Sequence, residues 1–182
     1  MDRSRSQPTL YQFFSGLAEY VFQTRLGVAD PPLVDYLSGM MARFVHTDAI
    51  YNVRSLSGRR LEEVAAMLLE GEARVGDARR EVHRHIGDFT LFWTGVYPEF
   101  IRRLECEQRV DHLLDYREQG KRAYYIASTI RTDKNRDESE VLERLSHEFE
   151  LCAYGLSELR REWERRDPVE GNEERPGPWL ID

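Results

Sequence analysis

Apolar side chains recur every three or four positions along most of the chain, and the alternating pattern of β-strands is nearly absent. In residues 9–26, for example, Leu10, Phe13 and Leu17 would share one face of a helix that ends at Gly27. This periodicity predicts an all-α fold, a compact bundle of about six helices. The predicted helices span residues 9–26, 31–45, 60–72, 77–94, 110–130 and 138–166, with a helical turn at 47–53 and a short helix at 98–104.

The periodic pattern ends near residue 167, where the composition changes. Residues 168–182 combine prolines and glycines with four carboxylates and finish on an apolar group. We therefore predict a helical-bundle domain over 1–167 and a flexible acidic tail over 168–182. Trp179, Leu180 and Ile181 are the predicted contact residues of this tail, which would dock either on its own bundle or on a protein partner.

Length, charge and cysteine content narrow the class of protein. With 182 residues, 41% of them hydrophobic, the chain can bury the core of one domain. A net charge of −7 disfavours sequence-independent binding to nucleic acid. No run of apolar residues is long enough to span a membrane, and the first residues lack the apolar run of a secretion signal. Cys106 and Cys152 form no metal-binding or redox motif, so a cytoplasmic protein with reduced thiols is expected.

Five glycines lie inside predicted helices, where each costs about 1 kcal/mol relative to alanine. Close crossing of helices is the favoured explanation, because a missing side chain lets two backbones approach. Room for a flat ligand, or a local kink, is the alternative. The five are Gly16, Gly39, Gly87, Gly120 and Gly155.

A histidine and an aspartate share one face of the predicted helix 77–94. His85 lies on the same side as Val82 and Phe89, which indicates that it points toward the core. Asp88 follows three positions later and could accept a proton from the imidazole, and such a pair is a known base or metal-binding unit. A hydrogen-bonded core histidine is the simpler interpretation, and both stay open. If the site holds a ligand, His85 and Asp88 are its predicted binding residues.

Patterns typical of catalytic and metal sites are missing from the chain. No histidine follows a glutamate at the Glu-x-x-His spacing of dimetal bundles. The chain also lacks His-Glu-x-x-His, a phosphate loop, a dinucleotide-binding glycine motif and a Gly-x-Ser-x-Gly elbow. No cofactor is predicted, and the candidate metal ligands are limited to His85, His112 and His147.

One block of sequence carries a resemblance. IGDFTLFWTG at residues 86–95 is followed by Asp115-Tyr116 and then by Gly120 with Ala123-Tyr124. This arrangement resembles the central motifs of a family of uncharacterised bacterial helical proteins. The resemblance implies a shared helical fold and carries no activity or catalytic residue with it.

Two functions follow from these observations. The first is a protein-interaction or regulatory module without catalytic activity, which would bind a protein partner or associate with itself as a homodimer. The second is a helical-bundle protein that binds a metal, haem or another buried cofactor through His85 and Asp88, with His112 or His147 opposite. Tyr97-Pro98-Glu99, at a helix junction, could line the mouth of a pocket, although simple packing is favoured there.

Overall fold

A computed structural model of the chain describes residues 9–107 and 110–166, without the side chains of Glu105 and His112. This part of the chain is all-α and contains no β-strand, as the periodicity predicts. It holds nine α-helices rather than about six, because two short segments are helical and the last predicted helix is divided. The helices are α1 Leu10–Glu19, α2 Pro31–Phe44, α3 Thr47–Ile50, α4 Val64–Ala73, α5 Gly76–Gly95, α6 Pro98–Cys106, α7 Tyr116–Thr129, α8 Arg136–His147 and α9 Phe149–Arg166, with a π-helical segment at Tyr20–Arg25 and a 3-10 turn at Val110–Leu113.

The first helix begins and ends on local sequence signals. The Thr9 side chain accepts the N–H of Gln12 at 3.2 Å, and the Gln12 side chain accepts the N–H of Thr9 at 3.0 Å, which forms a capping box. Beyond α1 the helix widens over Tyr20–Arg25. Gly27 then takes a φ of +69°, a conformation that glycine adopts without strain. The predicted end of this helix is confirmed.

Two further helices begin at aspartate caps. Asp30 accepts the N–H of Leu33 at 3.2 Å at the start of α2. The Asp115 side chain accepts two N–H groups from the first turn of α7. The predicted helix over 110–130 therefore starts late, at Tyr116, because the residues before the cap form a separate 3-10 turn.

The start of α4 depends on a residue far away in sequence. The prediction of helix from residue 60 is wrong by one turn, since α4 begins at Val64. Buried Asp111 accepts the N–H of Val64 at 2.7 Å and the N–H of Ala65 at 3.0 Å. A carboxylate at this end also complements the positive end of the helix dipole.

The predicted helix over 138–166 breaks at Glu148. Its φ of −109° and ψ of 27° are not helical, and α8 and α9 meet there. The break places Phe149 at the first position of α9, where its ring lies against Gly120 of α7. A Cβ on Gly120 would lie 2.4 Å from that ring, so the two helices approach closely.

Helix α5 forms the centre of the bundle. Eight consecutive residues, Ile86 to Trp93, are buried, and α5 packs against α4, α6, α7 and α9. A helix surrounded by neighbours has no polar face, so its sequence shows only a partial helical repeat. No helix in residues 9–107 or 110–166 combines the length and the apolar character needed to cross a membrane.

Close crossing is confirmed at three of the five helical glycines. A Cβ on Gly87 would lie 2.5 Å from the Tyr124 ring, and one on Gly155 would lie 2.2 Å from the Phe22 ring. Gly120 makes the contact with Phe149. The remaining two glycines, Gly16 and Gly39, meet no neighbouring helix within 3.4 Å.

Candidate functional site

Asp88 lies at the centre of the bundle and is held by three side chains. Only 3% of its side chain is exposed. One carboxylate oxygen, Oδ1, accepts the hydroxyls of Tyr36 at 2.7 Å and Tyr124 at 2.8 Å. The other, Oδ2, accepts an Nη2–H of Arg43 at 3.0 Å. These donors come from α2 and α7, so the buried charge joins three helices and is compensated.

The two tyrosines of this cluster act as donors. Burial, and next the negative charge of Asp88, raise the pKa of Tyr36 and of Tyr124 well above the ordinary value of 10. Both hydroxyls are therefore protonated at neutral pH and keep their hydrogen bonds to the carboxylate. A carboxylate whose two oxygens are occupied in this way is arranged to hold the helices together.

His85 does not bond to Asp88 as the sequence suggested. Its Nε2–H donates to the backbone carbonyl of Ile50 at 2.8 Å, and its ring packs against Phe44 and Phe89. That bond fixes the tautomer, with Nδ1 as the acceptor nitrogen. Burial lowers the pKa of His85 below 6.5, so the imidazole is neutral at pH 7.

A cleft of about 320 Å³ opens beside His85. It lies between α5 and the segment around Asn52, and Arg74 and Arg84 contribute to its walls. Both guanidinium groups are already paired, Arg74 with Glu70 at 2.7 Å and Arg84 with a neighbour on α5. Arg54, a third guanidinium group of the lining, is exposed and makes no described ion pair. The cleft therefore combines a neutral imidazole with one guanidinium group that has no described carboxylate partner.

The other predicted ligands lie apart from this cleft. His147 is exposed at the end of α8, and the His112 side chain lies outside the described side chains. Asp111 and Asp115, next to His112, cap α4 and α7. Within the described part of the chain, no group of three histidine, cysteine or acidic side chains is arranged to bind a metal.

The sequence pattern missed His83. This residue is 1% exposed, and neither ring nitrogen has a hydrogen-bond partner in residues 9–107 and 110–166. Its ring presses on Gly71 of α4, where a Cβ would lie 2.9 Å from Nε2. Burial lowers its pKa below 6.5. His83 lies on a different face of α5 from His85, and it is buried because neighbouring helices cover more than one face of α5. The sequence would indicate a buried His83 only if that enclosure of α5 were known.

A second open site lies where α5 ends, between α6, α7 and α9. Two adjoining clefts of about 400 Å³ and about 360 Å³ share Thr94, Pro98 and Arg117. We call this surface the Thr94 groove. Its apolar part consists of Pro98, Ile101, Leu114, Ala153 and Tyr154, and its basic part of Arg102, Arg117 and Arg161.

Charge in the Thr94 groove is unbalanced. The two carboxylates that border it are engaged, since Asp115 caps α7 and Glu150 pairs with Lys121 at 2.9 Å. Among the side chains that the structure describes, no carboxylate lies within ion-pair distance of Arg102 or Arg117. Both arginines are exposed. Arg117 is one of the charges that lower the pKa of Glu150, after the hydrogen bond from Lys121, but it makes no described ion pair. The groove therefore combines apolar walls with two guanidinium groups that have no carboxylate in direct contact.

Thr94 lines both clefts of the groove. Its hydroxyl is enclosed and makes no hydrogen bond within the described residues. Pro98 lines the groove while Tyr97 beside it is buried, so the junction predicted as a possible pocket mouth contributes one wall.

No protein-family model, no curated protein and no solved structure matches this chain. The predicted partner-binding residues Trp179, Leu180 and Ile181 lie outside the described residues.

Proposed function

We propose that this chain is a protein-interaction module without catalytic activity, and that the Thr94 groove is its binding site. Its ligand would be a peptide segment that carries an apolar side chain next to carboxylates. The observation that carries this proposal is the pairing of apolar walls with the guanidinium groups of Arg102 and Arg117, neither of which has a described ion-pair partner.

The chemistry of the groove suits such a ligand. Guanidinium groups pair with carboxylates through two parallel hydrogen bonds, which gives orientation as well as attraction. Apolar walls at Ile101, Leu114 and Tyr154 would bury an aromatic or aliphatic side chain. Arginine and aromatic residues are also enriched at protein interfaces.

The buried cluster supports the non-catalytic part of the proposal. Tyr36, Tyr124 and Arg43 occupy the Asp88 carboxylate, and His85 is held by the Ile50 carbonyl. Each of these polar groups has a structural partner inside the bundle. Their presence in the core is therefore explained without a reaction.

Selection from a random peptide library displayed on phage tests the proposal. We expect enriched peptides to place an aromatic or aliphatic residue next to acidic residues, and Arg117→Glu to weaken their binding at least tenfold. Arg103→Glu is the matched control, because Arg103 is exposed on α6 next to Arg102 but does not line the groove. Failure to enrich any peptide, or equal binding to the Arg117 variant, would reject the groove as a binding site.

A second candidate function is the binding of a metal, haem or another cofactor through His85. The specific observation is that His85 borders the 320 Å³ cleft with its Nδ1 free of a described hydrogen-bond partner. Elemental analysis and the visible spectrum of the purified chain test it. Bound metal or chromophore that disappears in His85→Ala, at unchanged helicity, would support it. A variant that only melts at a lower temperature would show that His85 is structural.

Self-association, the cytoplasmic location and the kinship with the uncharacterised helical family remain predictions from the sequence. Sedimentation velocity across a range of protein concentrations tests the homodimer directly.

A further inference from the structure

We infer that the Thr94 groove takes up the chain's own acidic segment 170–182, with Trp179 against the apolar walls and the segment's carboxylates on Arg102 and Arg117. This inference rests on the proposed function, since it names the ligand of the same groove. The groove would then be closed in cis, and a partner protein would bind by displacing the tail.

The length of the connecting chain permits this docking. Helix α9 ends at Arg166, and its residues Tyr154 and Arg161 form one wall of the groove. At 1.5 Å per residue, Tyr154 lies about 18 Å from the end of the helix. The twelve residues between Arg166 and Trp179 can span about 40 Å when extended. The segment can therefore reverse direction and reach the wall of the groove that α9 forms.

The charges of the segment complement those of the groove. Residues 170–182 contain four carboxylates and one guanidinium group. Glu173 and Glu174 precede the apolar group, and Asp182 follows it, so carboxylates flank Trp179 on both sides. The groove presents the matching arrangement of positive groups around apolar walls.

Tethering makes even weak docking effective. A short flexible connection holds a ligand near its site at an effective concentration in the millimolar range. A contact whose free-peptide dissociation constant is as weak as about 0.1 mM would therefore be mostly formed in the intact chain. Release would need a competing segment, or a loss of the tail's negative charge.

Fluorine NMR of the full chain labelled with 5-fluorotryptophan tests where Trp179 lies. The chain has three tryptophans, and Trp179→Phe identifies the resonance of interest. We expect this resonance to differ from that of a free peptide of residues 168–182, and to return to the free position in Arg117→Glu. Arg103→Glu should leave it unchanged. A free position in the unsubstituted chain overturns the inference.

A second variant distinguishes the loss of docking from a folding defect that Arg117→Glu could cause in the bundle. Glu173→Lys combined with Glu174→Lys alters only the tail and leaves the bundle untouched. It should move the Trp179 resonance toward the free position, as Arg117→Glu does. Docking in cis is contradicted if the Trp179 chemical shift stays the same when the tail charge is reversed. It is also contradicted if that chemical shift depends on protein concentration.

Competition separates this inference from the proposed function. A fluorescein-labelled peptide of residues 168–182 is titrated with the full chain and with the full-length Trp179→Ala variant. We expect at least tenfold tighter binding to the variant, because its own tail no longer competes. Equal measurable binding to both chains overturns docking in cis but leaves the groove as a peptide site. Binding to neither chain overturns this inference, and the library selection still tests the groove.

Discussion

Removing one hydroxyl from the Asp88 cluster tests whether that cluster holds the bundle together. Tyr124→Phe deletes the donor that reaches Oδ1 of Asp88 at 2.8 Å and leaves the ring in place against Gly87. Tyr124 is fully buried, so no water replaces the lost donor without rearrangement. Hydrogen bonds to a charged group contribute about 1.5–3 kcal/mol, and we expect Tyr124→Phe to lower the free energy of unfolding by about 2 kcal/mol.

Tyr36 donates to the same oxygen, Oδ1, at 2.7 Å. Tyr36→Phe should therefore also lower the free energy of unfolding by about 2 kcal/mol, because it removes a second hydrogen bond to the same charged group. With both hydroxyls removed, Oδ1 has no donor, and the double variant should lose more than the two single losses combined by about 1 kcal/mol or more.

Urea unfolding followed by circular dichroism measures these changes, provided that the transition is two-state. Tyr125→Phe is the matched control, since Tyr125 is the next residue on α7 and is 53% exposed. It should stay within about 0.5 kcal/mol of the unsubstituted chain. A loss below that limit for Tyr124→Phe would refute a structural role for this cluster. Strict additivity in the double variant would refute the coupling of the two hydroxyls through Oδ1.

Three further predictions concern packing, pH and capping. Gly155→Ala places a Cβ 2.2 Å from the Phe22 ring and should lower the free energy of unfolding by about 1–3 kcal/mol. At Gly16 an added Cβ meets no atom within 4 Å, so Gly16→Ala should raise the free energy of unfolding by up to about 1 kcal/mol. Urea titration of both variants measures the sign of each change. Burial lowers the pKa of His83, so the unfolded chain binds the proton more tightly and stability falls as the pH drops below about 6.5. His83→Gln should reduce the dependence of the free energy of unfolding on pH by up to about 1.4 kcal/mol per pH unit. Urea titrations between pH 5 and 7 measure this dependence, and the same slope in both chains would contradict the prediction. Asp111→Ala should cost about 2–3 kcal/mol and speed amide exchange in the first turn of α4, because two N–H groups lose their acceptor.

Local signals in the sequence account for the elements that were predicted correctly. The starts of α1 and α2 depend on Thr9 and Asp30, and Gly27 follows the end of the π-helical segment, so each of these residues acts within a few positions of its own. Such caps and turns can be recognised from the sequence because their partners are close in the chain. Apolar periodicity adds the buried face of each helix in the same local way.

Errors occur where a boundary depends on a distant partner. The start of α4 is set by Asp111, which lies 47 positions after Val64. No residue near position 60 indicates that the helix begins only at Val64, where this carboxylate caps it. The break at Glu148 similarly follows from how α8 and α9 pack, since no proline or glycine interrupts the pattern there.

The candidate sites fail to appear in the sequence for the same reason. Asp88 was predicted to orient His85, three positions away, because helical periodicity indicates only which neighbours on one helix lie close together. Its actual partners, Tyr36 and Tyr124, lie 52 and 36 positions away. The Thr94 groove draws on α5, α6, α7 and α9, so none of its residues forms a recognisable motif.

The contrast between the core and the surface indicates where a ligand would gain free energy. In the core, Asp88 and Asp111 accept hydrogen bonds from donors on other helices. A ligand there would have to break these hydrogen bonds, and the free energy lost would be about equal to the free energy gained from its own. At the Thr94 groove, Arg102 and Arg117 have no described carboxylate partner, so a ligand adds ion pairs without breaking existing ones. The proposed acidic segment would therefore form new ion pairs and bury apolar surface at the groove, whereas a ligand at the Asp88 cluster would have to displace existing hydrogen bonds.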